Sequence, residues 1–542
     1  MKTSAVGRVG VTLAALLATT LAARADERGE LARIEAAYAD MNDALGAVGL
    51  IDSGYAASYD GRDRDAWSRE LDAKREAVRA GLAKLEDERL SEEDRRAASL
   101  MAKAVQSTDA SASLAPVARC ADASQPGLAY TALSQALYAC FDEHGNNIEF
   151  EGARHTRVAA FDLMTRIEEP ARRKALFMAF LPLWKAVNGD GEPGSPYRRL
   201  IGMAAAEARK NGSEIDAAAR TVGVPSDAVE EWLTRILDAW RIAAGDDAIE
   251  PWDYRYVGGG AERELGDLVA RDQLRPLSAR YYADLGADLA AMSTLYDLEP
   301  RPGKAPLTYA EFVRRGRYVG GTWRPTVARI SANYSQGGLG VLNELVHEEG
   351  HVVRLMALHT RPAFMDWSDS LFEEAFADVP SWSTYDPAWQ RKYLGRSAPE
   401  SVSLRSLYSS VMLDVAWALF ELRMLRDPAA DPNPTWTAIT SRYLHIVPHP
   451  EVPWWAVRVQ LVDSPGYMVN YGLGAVLTAD IRAQIAARLG RFETGDARWY
   501  AWLTERVLAF GMSRDTPALL REFLGRPVSP DALIAEIRRI GP

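Results

Sequence analysis

One run of residues, 339–359, limits what this chain can fold into more than any other part of the sequence. It carries His347-Glu348-Glu349-Gly350-His351 among apolar residues at helical spacing. Residues four apart on a helix lie on one face, so both imidazoles can reach the same metal ion. Only seven histidines occur in the chain, which makes a chance match rare. The pattern predicts a zinc-binding helix; two histidines on a solvated helix face are the alternative.

A zinc ion that supports hydrolysis needs three protein ligands and one open position. Glu348 lies between the two histidines, where it can act as the general base on a zinc-bound water. The third ligand should come from a nearby segment, and Glu373-Glu374 supplies two adjacent carboxylates at the start of an apolar helical run. Taken alone, these acids could simply favour the helix dipole. The residues themselves leave both acids open as the third ligand.

The rest of the chain predicts a mainly α-helical protein. Helical spacing of apolar residues runs through 28–114, 157–188, 197–211 and 262–296, and continues beyond residue 339. The clearest strand pattern is the alternation over 326–334, which places a small β element beside the zinc helix. No internal repeat, low-complexity segment or linker is evident, so we expect residues 26–542 to form a single unit.

The N-terminus has the pattern of a secretory signal peptide, residues 1–25. Positive residues precede a short apolar run, and Ala23-Arg24-Ala25 forms a small-residue cleavage site. Cleavage after Ala25 predicts a periplasmic or secreted protein, and no later segment is apolar enough to span a membrane. In an oxidising compartment the two cysteines, Cys120 and Cys140, are expected to form a disulfide; two unrelated buried thiols are the alternative.

The histidine motif, followed by Glu374-Ala-Phe-Ala-Asp378, resembles the gluzincin zinc metallopeptidases. It is most similar to the angiotensin-converting-enzyme family of dipeptidyl carboxypeptidases, whose second element reads E-A-x-x-D, and it also resembles the thimet oligopeptidase family. The resemblance implies that Glu374 is the third zinc ligand and that Asp378 orients a ligating histidine. It also implies a large helical fold in which two subdomains flank a central groove that admits short peptides.

Two further site elements are implied by the same resemblance. In those families an edge strand ahead of the zinc helix binds the peptide by strand addition, which implies that residues 330–334, with Ala332 and Tyr334, form such an edge here. An ordinary core strand is the alternative. A tyrosine-rich segment implies that Tyr471, and after it Tyr467, stabilise the oxyanion of the tetrahedral intermediate.

The chain departs from both families ahead of these tyrosines. The families place a histidine there, whereas this chain has Gln460 and its neighbours. The nearest histidines, His445 and His449, do not form an obvious helical pair. Arg458 could bind the C-terminal carboxylate of a substrate, or it could be an ordinary surface arginine.

Together these features predict zinc-dependent hydrolysis of peptide bonds in short peptides, by a dipeptidyl carboxypeptidase or an oligopeptidase. The alternative is a zinc-binding scaffold or peptide-binding protein without peptidase activity, which the missing histidine favours. The formal net charge of −11 speaks against a nucleic-acid partner, since such proteins normally carry a basic surface.

Overall fold

The computed structural model describes residues 6–86, 89–112, 118–301, 304 and 307–541, with side chains described from residue 28 onward except at 107–112. The predicted signal peptide, residues 1–25, lies outside the residues whose side chains are described and stays a prediction.

Helices make up most of the described chain, as the sequence predicts. They are α1 Val6–Asp52, α2 Arg64–Leu82, α3 Glu92–Ala112, α4 Tyr130–Cys140, α5 Arg157–Arg166, α6 Pro170–Met178, α7 Leu181–Asn188, α8 Pro196–Asn211, α9 Glu214–Val222, α10 Val229–Ala243, α11 Tyr254–Gly258, α12 Gly260–Leu265, α13 Leu274–Asp284, α14 Leu339–Ala357, α15 Ser370–Ser381, α16 Pro387–Leu394, α17 Glu400–Arg426, α18 Pro432–Leu444, α19 Gln460–Asp463, α20 Met468–Leu489, α21 Trp499–Leu503, α22 Thr516–Leu524 and α23 Asp531–Arg538. The strands are β1 Ile148–Phe150, β2 Ala153–His155, β3 Thr294–Asp297, β4 Tyr309–Arg314, β5 Arg317–Val319, β6 Thr322–Arg324 and β7 Val327–Ser331.

Most of the buried apolar side chains belong to one core that draws residues from Cys120 to Ile540. Helices α1, α2 and α3 share a smaller core of their own, which Phe364 joins. Within the part of the chain that the structure describes, no helix combines the length and the apolar character needed to cross a bilayer.

A small sheet in the order β3-β7-β4 packs beside α14. The strand predicted over 326–334 is β7, but it lies in the centre of this sheet, parallel to β3 and antiparallel to β4. The N–H groups of Ala332 and Tyr334 donate to main-chain carbonyls at the end of β3, over 2.8 and 2.9 Å. The prediction that residues 330–334 form a substrate-binding edge is therefore wrong, because these backbone groups are already paired. In the described sheet the edge strand that reaches the central cavity is β4.

Helices α14 and α15 pack with their backbones in contact at Gly350. A Cβ atom placed on Gly350 would lie 2.8 Å from the Cα atom and 2.9 Å from the carbonyl oxygen of Ala377. Only glycine permits this approach without a shift of one helix. Helix α15 starts at a capping residue, Asp369, whose carboxylate accepts from the N–H of Phe372 at 3.2 Å. The contact fixes the separation of the two helices that carry the sequence-predicted metal ligands.

Replacing Gly350 with alanine is expected to destabilise the protein by about 1–3 kcal/mol, because the added methyl group must push α15 away from α14. Urea unfolding measures this, and zinc content measured on the same samples should fall. Gly340→Ala is the matched control in the same helix, since a Cβ there would meet its nearest neighbour, Glu262 Oε2, at 3.9 Å. Equal stability of the two variants would contradict a role for the close backbone contact.

The sulfur atoms of Cys120 and Cys140 are bonded, as the cysteine count predicts. Cys140 ends α4, and α4 packs against α19. Ser134 Oγ, in the middle of α4, donates to the main-chain oxygen of Val462 at 2.8 Å. The disulfide-bearing segment is thus joined to the part of the chain that precedes α20.

Candidate metal centre

Helices α14 and α15 bring three metal-ligand side chains together. His347 and His351 lie one turn apart on α14, and Glu374 faces them from α15. One ligand atom from each of the three lies within 4.8 Å of the others. His347 Nε2 is 3.5 Å from Glu374 Oε2, and two ligand atoms on a tetrahedral zinc are separated by roughly 3.3–3.6 Å. This donor set of two imidazoles and one carboxylate fits zinc.

Asp378 orients the first of these imidazoles. Its Oδ1 atom accepts from His347 Nδ1 at 2.7 Å, one helical turn after Glu374. Ser381 Oγ donates to the same oxygen at 3.2 Å and holds the carboxylate in place. Because the proton of a neutral His347 then lies on Nδ1, the lone pair of Nε2 is available to a metal ion. The arrangement matches the role that the family resemblance implies for Asp378.

Electrostatics favour the metal-binding forms of two of the three ligands. Burial, and then the adjacent His347, lowers the pKa of His351 to about 3, so its imidazole is neutral. Burial acts against ionisation of Glu374, but His347, His351 and the Tyr467 hydroxyl together outweigh it and lower the pKa of this carboxyl below its usual value. For His347 itself, burial is outweighed by the surrounding carboxylates, Asp378 foremost and then Glu374 and Glu348, which raise the imidazole pKa well above its usual value. A cation would therefore compete with a proton at His347.

Glu348 follows the first histidine and faces the same cavity. It is buried, and its Oε2 atom has no hydrogen-bond partner among the described residues. Burial raises the pKa of Glu348 to about 8. A buried carboxyl oxygen without a partner, placed beside metal ligands, has the position that a general base for an attacking water requires.

The two acids at the start of α15 point to different places. Glu373 forms a buried ion pair with Arg354, over 2.5 Å, and accepts from Ser368 Oγ at 2.9 Å. Glu374 instead faces the imidazoles. Adjacent residues on a helix are rotated by about 100°, so only one of them can share the face of the metal site. The geometry thus separates the two candidates that the residues alone left open.

Both predicted tyrosines line the cavity, with different partners. The Tyr467 hydroxyl donates to Glu374 Oε1 at 2.9 Å. The Tyr471 oxygen accepts from Gln460 Nε2 at 3.2 Å, which leaves its own proton free for another acceptor. Burial raises the pKa of the Tyr471 hydroxyl well above its usual value, so it stays protonated.

Neither of the two nearby histidines replaces the missing one. His445 Nε2 is 3.0 Å from the main-chain oxygen of Arg241, and His449 lies between Glu250 and Glu451. Of the described residues that line the cavity, the histidines are His347 and His351 alone.

These side chains open onto a cavity of about 820 Å³. Its walls come from α5, α11, the start of β4, α14, α15 and α17. Arg458 lies in the wall, but its guanidinium is paired with Asp414 over 2.5 Å and stacks above the ring of Tyr471, with Cζ 5.3 Å from the ring centroid. The cavity wall also contains residues that sequence reasoning missed. They are Thr308, Tyr309 and Ala310 at the start of β4, together with Arg157 and Arg255.

A second grouping of potential ligands, Cys120, Glu143 and His144, also occurs in the described residues. The sulfur of Cys120 is bonded to Cys140, so it is not available as a thiolate ligand. The grouping on α14 and α15 is therefore the candidate metal centre.

No model of a known protein family matches the chain, and no curated protein sequence matches it. Solved structures do match. The chain is similar to metallocarboxypeptidase 1 of Trypanosoma cruzi (14% identity, TM-score 0.55), covering 94% of this chain and 99% of that one. It is similar to the M32 carboxypeptidase of Deinococcus radiodurans (14%, 0.57), covering 95% and 99%, and to the carboxypeptidase of Pyrococcus furiosus (15%, 0.53), covering 94% and 98%.

At this level of identity the likeness shows the fold. Because it extends over nearly the full length of each chain, the large, mainly α-helical architecture predicted from the sequence is confirmed. The structural neighbours are metallocarboxypeptidases, whereas the sequence resemblance is to the angiotensin-converting-enzyme and thimet oligopeptidase families.

Proposed function

We propose that this protein is a zinc-dependent peptidase that hydrolyses short peptides in its central cavity. The observation that carries the proposal is the convergence of His347, His351 and Glu374 at the cavity wall, with the unpartnered carboxyl group of Glu348 beside them. A site that only bound metal would need no such carboxyl group. The names of the similar structures, all carboxypeptidases, favour removal of residues from the C-terminal end over internal cleavage.

The zinc ion, when bound, would supply Lewis acidity, which lowers the pKa of a water and polarises a carbonyl group. Glu348 takes a proton from the attacking water and later passes it to the nitrogen of the leaving amine. Tyr471 donates a hydrogen bond from its hydroxyl group to the oxyanion of the tetrahedral intermediate. Asp378 holds the His347 ring in the orientation that binding requires.

The peptide backbone would bind along the open edge of β4, since Tyr309 and Ala310 lie at the cavity. The proposal also includes export to the periplasm or the exterior, which rests on the signal pattern at residues 1–25 and is supported by the oxidised cysteine pair.

A second function, peptide binding without hydrolysis, is favoured by one observation. The position ahead of Tyr471 is occupied by Gln460, an amide that cannot transfer a proton as a histidine can. Without a histidine at this position, the transition state would lose one hydrogen-bond donor and would be stabilised by Tyr471.

Removal of the metal tests the proposed function. We expect the purified protein to contain about one zinc per chain and to cleave a mixture of short unstructured peptides, followed by mass spectrometry. Chelation with 1,10-phenanthroline should abolish cleavage, and added zinc should restore it. A chelated sample that is dialysed without zinc is the control. If the zinc-loaded protein binds peptides and leaves them intact, peptide binding is the function and the peptidase proposal is wrong.

A further inference from the structure

Two guanidinium groups that line the cavity have neither an ion-pair partner nor a hydrogen-bond partner among the described residues. Arg157 begins α5 and Arg255 lies in α11, and both line the cavity that Glu348 faces. Arg157 is only 9% exposed, and its Nε atom is buried without an acceptor. Across the described residues, neither guanidinium has a carboxylate within ion-pair range, and neither donates a hydrogen bond. Buried arginines are normally paired, so this arrangement needs an explanation.

The ring of Phe161 lies close to both guanidinium groups. Its ring centroid is 5.9 Å from Cζ of Arg157 and 3.8 Å from Cζ of Arg255. The two Cζ atoms can therefore be no further apart than the sum of these distances. Stacking on an aromatic face stabilises a guanidinium while leaving its N–H groups free to bind a ligand.

The neighbouring acids do not neutralise this pair. Asp414 is engaged by Arg458, over 2.5 Å. Glu344, one turn before the first histidine of α14, also lines the cavity and attracts Arg157 without forming an ion pair in the described structure. Burial, and then repulsion from Arg458, lowers the pKa of Arg157 and of Arg255 to about 10. Both groups remain charged at neutral pH, so the folded protein holds two unpaired positive charges in its cavity.

Such an arrangement is costly for stability and favourable for an anionic ligand. A guanidinium binds a carboxylate through two parallel hydrogen bonds, and a low-dielectric cavity strengthens them. A carboxylate that binds one arginine through both of its oxygens leaves the other arginine without a partner. Two carboxylates on one residue would satisfy both.

We propose that Arg157 and Arg255 form an anion-binding subsite that selects peptides ending in glutamate or aspartate. One guanidinium binds the α-carboxylate of the terminal residue and the other binds its side-chain carboxylate. This inference rests on the proposed peptidase function, for which it names the preferred substrate class.

The test measures binding to the zinc-loaded Glu348→Gln variant, so that it does not depend on turnover. Calorimetry compares two tetrapeptides that are identical except for a terminal glutamate or glutamine. We expect the glutamate peptide to bind about ten- to a hundredfold more tightly, the range for a charge-assisted hydrogen-bonded pair. Arg157→Gln and Arg255→Gln are then each added to this variant. Loss of the arginine that binds the side-chain carboxylate should remove most of the preference, whereas loss of the arginine that binds the α-carboxylate should weaken binding of both peptides. Arg154→Gln, an exposed arginine three residues before Arg157, should leave it unchanged.

Affinities of the two peptides within twofold of each other would overturn the inference, as would a glutamate preference that survives loss of both arginines.

Cleavage of the same two peptides by the unmodified enzyme distinguishes a failure of the subsite from a failure of the proposed peptidase function. Cleavage of both at equal efficiency leaves the peptidase function standing and rejects the acidic subsite. Selective binding without any cleavage rejects the peptidase function instead.

Thermal unfolding distinguishes a ligand-binding role from a structural one. If Arg157 supported the fold, its removal would lower Tm. If Arg157 instead serves a ligand, its charge is buried without a partner in the ligand-free protein, and this lowers the stability of the fold. Arg157→Gln removes that charge and should raise the Tm of the ligand-free protein by a few degrees. A fall in Tm for that variant would contradict the inference. Should Arg157→Gln not fold, that outcome counts as such a fall, and the half-buried Arg255→Gln still reports the peptide preference.

Discussion

Replacing Glu348 with glutamine is expected to lower kcat for peptide hydrolysis by roughly 10²–10⁴-fold while zinc stays bound. The amide has nearly the shape of the carboxyl group, so the cavity and the two flanking imidazoles should keep their positions. It cannot accept the proton of the attacking water, and no other carboxyl group among the described residues occupies the same position. Steady-state kinetics on a fluorogenic short peptide, together with elemental analysis of zinc, measures both quantities.

Glu349→Gln is the matched control for this variant. Glu349 is the next residue on α14 and is equally buried, but its Oε1 atom accepts from the Tyr296 hydroxyl at 3.0 Å, on the side away from the cavity. Because Glu349 does not line the cavity, its amide variant should keep the wild-type rate of hydrolysis. Equal rates for wild type and Glu348→Gln, both with zinc, would show that Glu348 is not the base and would favour the peptide-binding alternative.

Replacing Glu374 with alanine is expected to weaken zinc binding by more than about 100-fold. Loss of a residue that merely orients a ligand costs about 10–100-fold, and loss of a ligand removes a bond to the metal itself. Two imidazoles would remain, with Tyr467 deprived of the oxygen to which its hydroxyl donates. Competition with a chromophoric chelator gives the affinity, and the peptidase rate at limiting zinc should fall in parallel.

The neighbouring acid provides the control. Glu373→Gln should keep its zinc, because Glu373 faces Arg354 and not the imidazoles. Glu373→Ala should also keep the site in whatever fraction folds, but at a cost of about 3–5 kcal/mol in unfolding free energy, since a buried guanidinium loses its partner. If Glu373→Gln loses zinc and Glu374→Ala retains it, Glu373 is the third ligand and the assignment to Glu374 is wrong.

The parts of the site that could be predicted from the sequence are those that depend on local spacing. The i and i+4 positions of His347 and His351 determine a shared helix face, and the structure brings both side chains to Glu374. The pairing of Asp378 with His347 is the one that the family resemblance implies, with Asp378 one turn after Glu374 on α15. Helix content was also predictable, because apolar periodicity is a local property.

What could not be predicted depends on contacts between distant segments. The alternation in β7 is the same for a central and an edge strand, and only the positions of β3 and β4 decide which it is. Arg157 and Arg255 lie far ahead of the histidine motif and carry no spacing signal that links them to it. Their common feature, the ring of Phe161, is visible only after folding.

The bond between Cys120 and Cys140 has a practical meaning for anyone who produces this protein. Helix α4 carries one of the two sulfurs, and through Ser134 it holds the segment that supplies Gln460, the partner of Tyr471. Recombinant material made in a reducing cytosol would lack that disulfide, and α4 would then be held in place by packing and by the Ser134 hydrogen bond. Activity and binding should therefore be measured on protein made in an oxidising host, in which the disulfide forms.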